Sequence, residues 1–431
     1  MSFSTHIKQS IIWRGFYFIT LLLLNVFLSR FLKADGSGII FYLSNFFSFL
    51  VLILSFNMDG SFTYFASSKT IPFNHLASLA LLWTALIALL VYVLLPHYFL
   101  FFDSDVVATD NNVSKYGLYY VVGILLANYF TALFYSFGRF ALPNIILGSS
   151  NLLFIALIVF AGKVNASAGA VTKDYFFLIL LQGIALSIAF VVTNINSQLL
   201  RIPNANQLKQ LFKYSSIGLT GNFLFFFVYR IDYWFVKLWC HQSGDLGNYI
   251  QASKLSQMLL LLPQILASVI FPQMASGLQQ GQVVESISRL FRLFLQLYCL
   301  LTIAAILFGN SLFPLIFGAS FSTMYKPMLI LLPGMFCLSV STLLSAYFSG
   351  KKQNKYNVFA AMFALAVMLC LSFLLKNEYS IYIAASISSV AYFSEGMYCF
   401  IKFAQQEKIS MKQFFMFSTA DWKWVKNLFL N

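Results

Sequence analysis

The stretch Tyr135-Ser-Phe-Gly138-Arg139 closes one long apolar run, and Tyr347-Phe-Ser-Gly350-Lys351 closes another 212 residues later. Both place an aromatic residue, a glycine and a base where a helix would turn. Two further pairs follow in the same order. Leu95-Pro96 followed by Phe101-Phe102-Asp103 answers to Phe313-Pro314 followed by Phe317-Gly318, and each is expected to end a helix. Asp35-Gly36-Ser37-Gly38 answers to Ser243-Gly244-Asp245-Leu246-Gly247 as a turn after a first helix. Three matches at nearly one spacing imply two halves built alike, an internal repeat.

What the halves are made of follows from composition. The 431 residues are 60% hydrophobic and 9% charged, with 50 Phe and 23 Tyr. Mean hydropathy is +0.80. Soluble domains carry about 25% charged residues, so this is a membrane chain whose aromatic residues suit lipid-facing helices and interfacial belts. A spanning helix needs about 20 mainly apolar residues. That rule predicts an all-α protein of about twelve transmembrane helices. The first six run over 11–31, 39–58, 76–100, 117–137, 142–162 and 175–196. The second six run over 215–238, 249–274, 288–308, 327–349, 356–375 and 379–402, the eighth interrupted by Lys254, Pro263 and Pro272.

The expected organisation is an N-terminal lobe over 1–198, a cytoplasmic linker over 199–213, a C-terminal lobe over 214–403 and a cytoplasmic tail over 404–431. Six helices is an even number, so both lobes insert with the same polarity, as parallel repeats of a kind that rock about a central site. Met1 to Lys8 is polar and the first apolar run lacks a small-residue cleavage site, which reads as a retained first helix.

The net charge of +14 points to topology rather than nucleic acid. With both termini inside, seventeen loop and flanking lysines and arginines fall on the cytoplasmic side and nine on the other, as the positive-inside rule requires. Asp103, Asp105 and Asp110 share one external loop, around 101–116. No phosphate-binding Gly-x-x-x-x-Gly-Lys motif occurs. His6, His75, His97 and His241 are isolated, and no metal site is expected. The five cysteines show no Cys-x-x-Cys spacing and read as buried small hydrophobes. Asn165-Ala-Ser167 matches a glycosylation sequon too short to carry weight.

Charges inside spans are the informative residues. Arg230 and Asp232 lie in Phe226-Phe-Val-Tyr-Arg-Ile-Asp-Tyr-Trp-Phe-Val-Lys237. Residues two apart on a helix point about 200° from one another, so each needs its own partner. Two readings stand. Arg230 snorkels outward and Asp232 bonds a neighbouring helix, or at least one of them faces a hydrated central cavity. Aligned through the repeat, Asn25 and Arg30 fall near Asp232 and Lys237, which gives each lobe a polar residue about five positions before a base. Arg14 adds charge near the inner end of the first helix, as cavity lining or as topological anchor. Lys254, flanked by Gln251 and Gln257, is a further cavity candidate. Glu395 lines a pathway or is protonated and hydrogen-bonded. Asp59, at the inner end of the second helix, caps or turns the chain. A cationic cavity between apolar walls suits an amphiphile with an anionic head, its phosphates held by arginine and lysine and its tail left in the bilayer.

The chain resembles the polysaccharide-exporting branch of the multidrug/oligosaccharidyl-lipid/polysaccharide flippase superfamily, most closely bacterial O-antigen (Wzx-type) flippases. The residues carrying the resemblance are Ser29-Arg30-Phe-Leu with Gly36-Ser-Gly38, and Ile231-Asp232-Tyr233. With them go Leu246-Gly247-Asn-Tyr249-Ile-Gln-Ala252-Ser-Lys254, Leu262-Pro263, Phe271-Pro272, and Leu315-Ile-Phe317-Gly318 followed by Leu329-Ile-Leu-Leu-Pro333-Gly334. The resemblance implies a two-lobed, MATE-like fold in the bacterial inner membrane. It implies flipping of undecaprenyl-pyrophosphate-linked repeat units from the cytoplasmic to the periplasmic leaflet by alternating access, beside a polymerase and chain-length proteins. It implies no enzyme activity and no cofactor, and leaves open H+ or Na+ as coupling ion. Basic cavity residues of that family fit Arg30, Arg230 and Lys254; Asp232, Glu395 and Asp59 are, from their own placement, the candidate coupling or lobe-contact residues. Lys33-Ala34-Asp35 departs from the Leu-Gly-Pro of many members, and the two extra helices of lipid II flippases have no counterpart. A cation-coupled drug or metabolite antiporter is the alternative transport reading. An O-antigen polymerase or ligase is the alternative enzyme reading, opposed by the absence of a large external loop.

Overall fold

The first two apolar runs fold as two helices that follow one another without a loop. Helix α1 spans Phe3–Ser55 and is broken only at Lys33, whose backbone (φ 59, ψ −175) lies in a region adopted almost solely by glycine. The Asp35-Gly36-Ser37-Gly38 turn expected from the sequence is therefore helical, and the break between the two helices falls on the single residue Lys33. Ser37 Oγ donates to Lys33 O at 2.5 Å and steadies that break. In the second half Gly244 takes a positive φ of 82 at the corresponding place.

The structure is a computed structural model describing residues 3–102, 112–163, 167–194, 201–276, 280–351 and 353–408. Asp103, Asp105, Asp110, Asn165, the start of the expected linker and the tail beyond 408 lie outside the described residues. After α1 come α2 (Met58–Ser67), α3 (Phe73–Phe102), α4 (Val113–Ser136), α5 (Ala141–Lys163), α6 (Ala168–Asn194) and α7 (Ala205–Trp239). The chain continues with α8 (Asp245–Met258), α9 (Leu261–Ser276), α10 (Gln280–Phe317), α11 (Tyr325–Gly350), α12 (Lys355–Leu374) and α13 (Ile381–Glu407). Short 3-10 turns cover Ala319–Met324 and Lys376–Glu378.

Nine helical stretches among the described residues are long and apolar enough to cross a membrane, α1 holding two passes. The other two passes are α8–α9, each piece too short alone, and α13, where serines, tyrosines and Glu395 dilute the hydropathy. Outward faces are apolar as lipid requires: on α3, Leu89 is 61% and Tyr92 68% exposed. The protein is an all-α, multi-pass membrane protein.

Two expected spans are interrupted. The second ends at Ser55 and resumes at Met58, because Phe56 and Asn57 both take φ 52. Four carbonyls are thereby orphaned, a serious cost in hydrocarbon, and all four find donors. Ser55 Oγ reaches Leu52 O at 3.3 Å, and Phe56 N reaches Ile53 O at 3.2 Å. Trp83 Nε1 reaches Leu54 O at 3.0 Å, and Tyr129 OH reaches Ser55 O at 3.2 Å. Asp59 consequently sits in the first turn of α2, not at the end of a helix, and its charge favours that N-terminus. The eighth span breaks at Leu259–Leu260, four and three residues before Pro263, where a proline ring collides with the preceding turn.

Prolines end helices less often than the sequence suggests. Pro96 and Pro314 lie inside α3 and α10. Gly318, with φ 106, terminates α10 instead and donates to Pro314 O at 2.8 Å. Gly138 makes the expected tight turn with φ 69, whereas Gly350 remains helical and Lys351 caps α11.

Packing divides the chain into two units, Met1–Phe223 and Leu224–Asn431. A pair of helices meets at backbone distance in each. In the first unit, a methyl group on Gly123 of α4 would lie 2.3 Å from Ile179 O of α6. In the second, one on Gly334 of α11 would lie 2.6 Å from Ser389 Cα of α13, and Gly334 N donates to Ser389 Oγ at 2.9 Å. Gly123 and Gly334 are 211 residues apart. The repeat thus extends from turns to the small-residue contacts that let membrane helices approach.

Candidate functional site: a buried polar cluster in the second unit

In the second unit, three helix faces carry polar residues at helical spacing: Tyr229, Asp232 and Tyr233 on α7; Tyr249, Ser253 and Gln257 on α8; and Ser388, Tyr392 and Glu395 on α13. Residues three and four apart share a face, so each set points one way. The α7 and α13 faces run antiparallel in register. Trp239 meets Tyr379, Asp232 meets Ser388, and Tyr229 meets Tyr392.

Asp232 is 1% exposed. Its Oδ2 accepts from Tyr249 OH at 2.5 Å and from Ser388 Oγ at 2.9 Å, and those hydroxyls lie 3.1 Å from each other. Its Oδ1 meets no donor among the described residues. Glu395 is similar. It is 2% exposed, accepts from Ser341 Oγ of α11 at 3.0 Å through Oε1, and has no donor to Oε2 among the described residues. Seven residues of α13 separate Ser388 from Glu395, about 10 Å along the axis. Two carboxylates, each accepting hydroxyls on one oxygen, therefore stand along one face of α13, Asp232 reaching it from α7 and Glu395 rising from α13 itself. A charge at bilayer depth costs about 2.5–3.5 kcal/mol on insertion scales, which hydroxyl donors offset only in part. Such a group suits taking up a proton or a small cation.

The bases stand beside them. Arg230 is half-buried, its guanidinium 5.5 Å from the centre of the Tyr233 ring. It lies within electrostatic reach of Asp232 and of Lys254, which is itself half-buried on α8. Around Lys254, Tyr233 OH donates to Ser253 Oγ at 3.0 Å, and the Gln257 amide donates to Ser253 Oγ at 3.1 Å and Tyr229 O at 3.3 Å. The structure thus brings Arg230, Asp232 and Lys254 into one cluster and carries Glu395 on the adjoining turns of α13.

The remaining sequence candidates lie in the first unit. Arg14 is exposed, its guanidinium 4.5 Å from the centre of the Tyr135 ring. The Asn25 amide donates to Leu21 O, one turn back, at 2.9 Å. Arg30 is exposed on α1. Asp59 is half-buried beside the α1–α2 break. Tyr249 and Ser253 belong to the 246–254 stretch that carries the resemblance, but nothing in the sequence marks them, Ser388 or Ser341 as partners of the charged residues. The stripe Ser388-Tyr392-Glu395 is visible in it, but Ser388 lies 156 residues from Asp232, a pairing that periodicity along one helix does not reveal.

Comparison with known proteins bears on this arrangement. A lipid II flippase, MurJ, in an inward closed conformation aligns with a TM-score of 0.70 at 14% identity, over 98% of this chain and 93% of that one. The Vibrio cholerae MATE transporter VcmN aligns at 0.61 and 15% identity, over 96% and 99%. A MOP superfamily transporter from Pyrococcus furiosus aligns at 0.59 and 13% identity, over 94% and 95%. The chain shares its fold with these flippase and transporter structures. A family model described as polysaccharide biosynthesis protein matches residues 146–326, a stretch holding Arg230, Asp232 and Lys254. The resemblance read from the sequence holds at this level. No curated protein sequence matches the chain.

Proposed function

We propose that the chain is a flippase for a polyprenyl-pyrophosphate-linked oligosaccharide, a repeat unit of O-antigen or capsule type. It moves this lipid from the cytoplasmic to the periplasmic leaflet by alternating access and catalyses no covalent chemistry. The observation that carries the reading is the polysaccharide biosynthesis match over residues 146–326, the stretch that supplies the cluster's two bases. Arg230 and Lys254 offer charge-assisted donors to phosphate oxygens. Tyr229, Tyr233 and Gln257 offer aromatic and amide contacts to sugars. Asp232 and Glu395 couple the cycle to a proton or Na+. The protein resides in the bacterial inner membrane with both termini in the cytoplasm and works beside the polymerase and chain-length proteins of its pathway.

A cation-coupled antiporter for drugs or metabolites is the second reading, favoured by the two buried carboxylates. Export of surface polysaccharide in a deletion strain separates the two. Restoration by the wild-type chain, and none by Arg230→Ala or Asp232→Ala at normal membrane levels, supports the flippase. Unchanged surface polysaccharide after deletion, in a strain without a second flippase, contradicts it.

A further inference from the structure

The repeat reaches into the polar residues of the first unit. Gly183 of α6 and Gly396 of α13 each close on a neighbouring helix. A methyl group on Gly183 would lie 2.3 Å from Gly123 O, and one on Gly396 2.6 Å from Cys337 O. The two glycines are 213 residues apart. At that spacing Gln182 answers to Glu395, and Tyr175 answers to Ser388, whose hydroxyl donates to Asp232. Asn25 already falls near Asp232 when the halves are aligned through their glycine motifs. Each carboxylate of the second-unit cluster therefore has an amide as its counterpart in the first unit.

The groups around these amides are uncharged as well. Tyr17 of α1, Tyr120 of α4 and Tyr175 of α6 lie within electrostatic reach of one another. No acid or base among the described residues acts on Tyr17 or Tyr175, whereas Tyr229 of α7 has Glu395 within reach. Arg14, three residues before Tyr17, has its guanidinium over the Tyr135 ring instead. Ser48, on the second pass of α1, shares a hydrogen bond of 2.7 Å with Tyr120 OH. The Gln182 amide donates to Ser150 Oγ and Asn151 Oδ1 of α5, each at 2.8 Å, and the Asn151 amide donates to Thr20 Oγ1 at 3.3 Å. Neutral hydrogen bonds thus tie α1, α4, α5 and α6 around one set of hydroxyls and amides.

Two observations show that this set has capacity to spare. Tyr17, Ser48, Tyr175 and Gln182 are half-exposed, although lipid-facing surface in this unit is apolar, as on α3. Polar side chains at membrane depth face a bundle interior or a water-filled cavity. Asn45, one turn before Ser48, is 3% exposed, and neither half of its amide is paired among the described residues. The chemistry then narrows the ligand. An anion finds no base here, a cation finds no carboxylate, and a hydrocarbon chain would leave the hydroxyls unmet. Hydroxyls and amides that both donate and accept, set beside tyrosine rings, match a neutral ring rich in hydroxyls.

We infer that the first unit binds the uncharged sugars of the cargo at the Tyr17–Tyr120–Tyr175 cluster, with Ser48 and Gln182 as further contacts. The inference rests on the flippase reading above and divides that cargo by chemistry: sugars to the neutral cluster, pyrophosphate to the bases of the second unit.

Equilibrium binding to the purified full-length chain in nanodiscs tests it with two radiolabelled probes. One is the lipid-linked repeat unit extracted from the deletion strain, and the other is bare polyprenyl pyrophosphate. The wild type is expected to hold the first at least tenfold more tightly. Tyr17→Phe and Tyr175→Phe each remove one hydroxyl from a half-exposed ring. Each is expected to weaken the first probe about fivefold at an unchanged thermal midpoint and to leave the second probe unaffected. Equal affinity of the wild type for both probes overturns the sugar site and leaves the flippase reading standing. Binding of neither probe overturns both. Equal weakening of the two probes by the variants also overturns the site, because the hydroxyls then act through the fold. If a phenylalanine variant does not insert, Ser48→Ala takes its place with the same outcomes.

Discussion

Asp232 has one oxygen shared between the hydroxyls of Tyr249 and Ser388 and the other meeting no donor among the described residues. An asparagine keeps an acceptor for both hydroxyls and abolishes the charge. Asp232→Asn is therefore expected to insert and unfold like the wild type while transport falls at least tenfold. Tyr249→Phe removes one donor and is expected to cost about 1 kcal/mol of stability with a smaller loss of transport. Wild-type transport by Asp232→Asn would assign the carboxylate to packing alone. Glu407 makes a prediction of the opposite kind, outside the membrane span. Burial pushes its carboxyl up, but hydrogen bonds from Lys351 and Tyr347 and the Lys351 charge outweigh burial and hold it below its ordinary 4.5. A carboxylate with a depressed folded value contributes stability above its unfolded value, lost as pH falls through the folded one. The thermal midpoint of the wild type should exceed that of Glu407→Gln at pH 7 and converge with it below that folded value. A constant difference across the range would contradict the pair's role.

At the scale of elements, the breaks in α1–α2 and α8–α9 differ in how far the sequence announces them. Pro263 marks the second, since its ring denies the helix a preceding turn. Nothing of the kind marks the first. Phe56 and Asn57 are neither proline nor glycine, and their left-handed conformation depends on Trp83, Tyr129 and α7, all distant in the chain. Hydropathy reports the span and is blind to its interruption. The same holds for the polar cluster: Arg230, Asp232, Lys254 and Glu395 stand out as charges in apolar runs, while their partners are serines and tyrosines common throughout. The repeat is legible in its matched glycine motifs, although only Gly138, Gly244 and Gly318 among them turn the chain with a positive φ, while the close contacts at Gly123 and Gly334 join helices distant in sequence. The α1–α2 break also yields a test. Asn222 Nδ2 donates to Asn57 Oδ1 at 2.9 Å, and a methyl group on Gly218 would lie 1.9 Å from Asn57 Nδ2. Gly218→Ala should lower stability by about 1–3 kcal/mol, whereas adding it to Asn57→Gly should cost almost nothing further. Additive losses in denaturation of the purified protein would show that Asn57 does not seat on α7 in this way.

For the whole molecule, composition and repeat specify a membrane protein of two like halves, and the fold is shared with proteins that move lipids and with proteins that move drugs. The proposed cargo rests on chemistry at the cluster: bases suit pyrophosphate, and buried carboxylates suit cations. This chain holds both kinds of group together, consistent with an anionic cargo driven by cation binding. The most direct test reconstitutes the purified chain in liposomes with a fluorescent polyprenyl-pyrophosphate oligosaccharide in the inner leaflet and follows its exposure to an impermeant quencher. The account predicts exposure at least tenfold faster than in protein-free liposomes, lost in Arg230→Ala and Asp232→Asn. Exposure at the protein-free rate, under both proton and Na+ gradients, would contradict it.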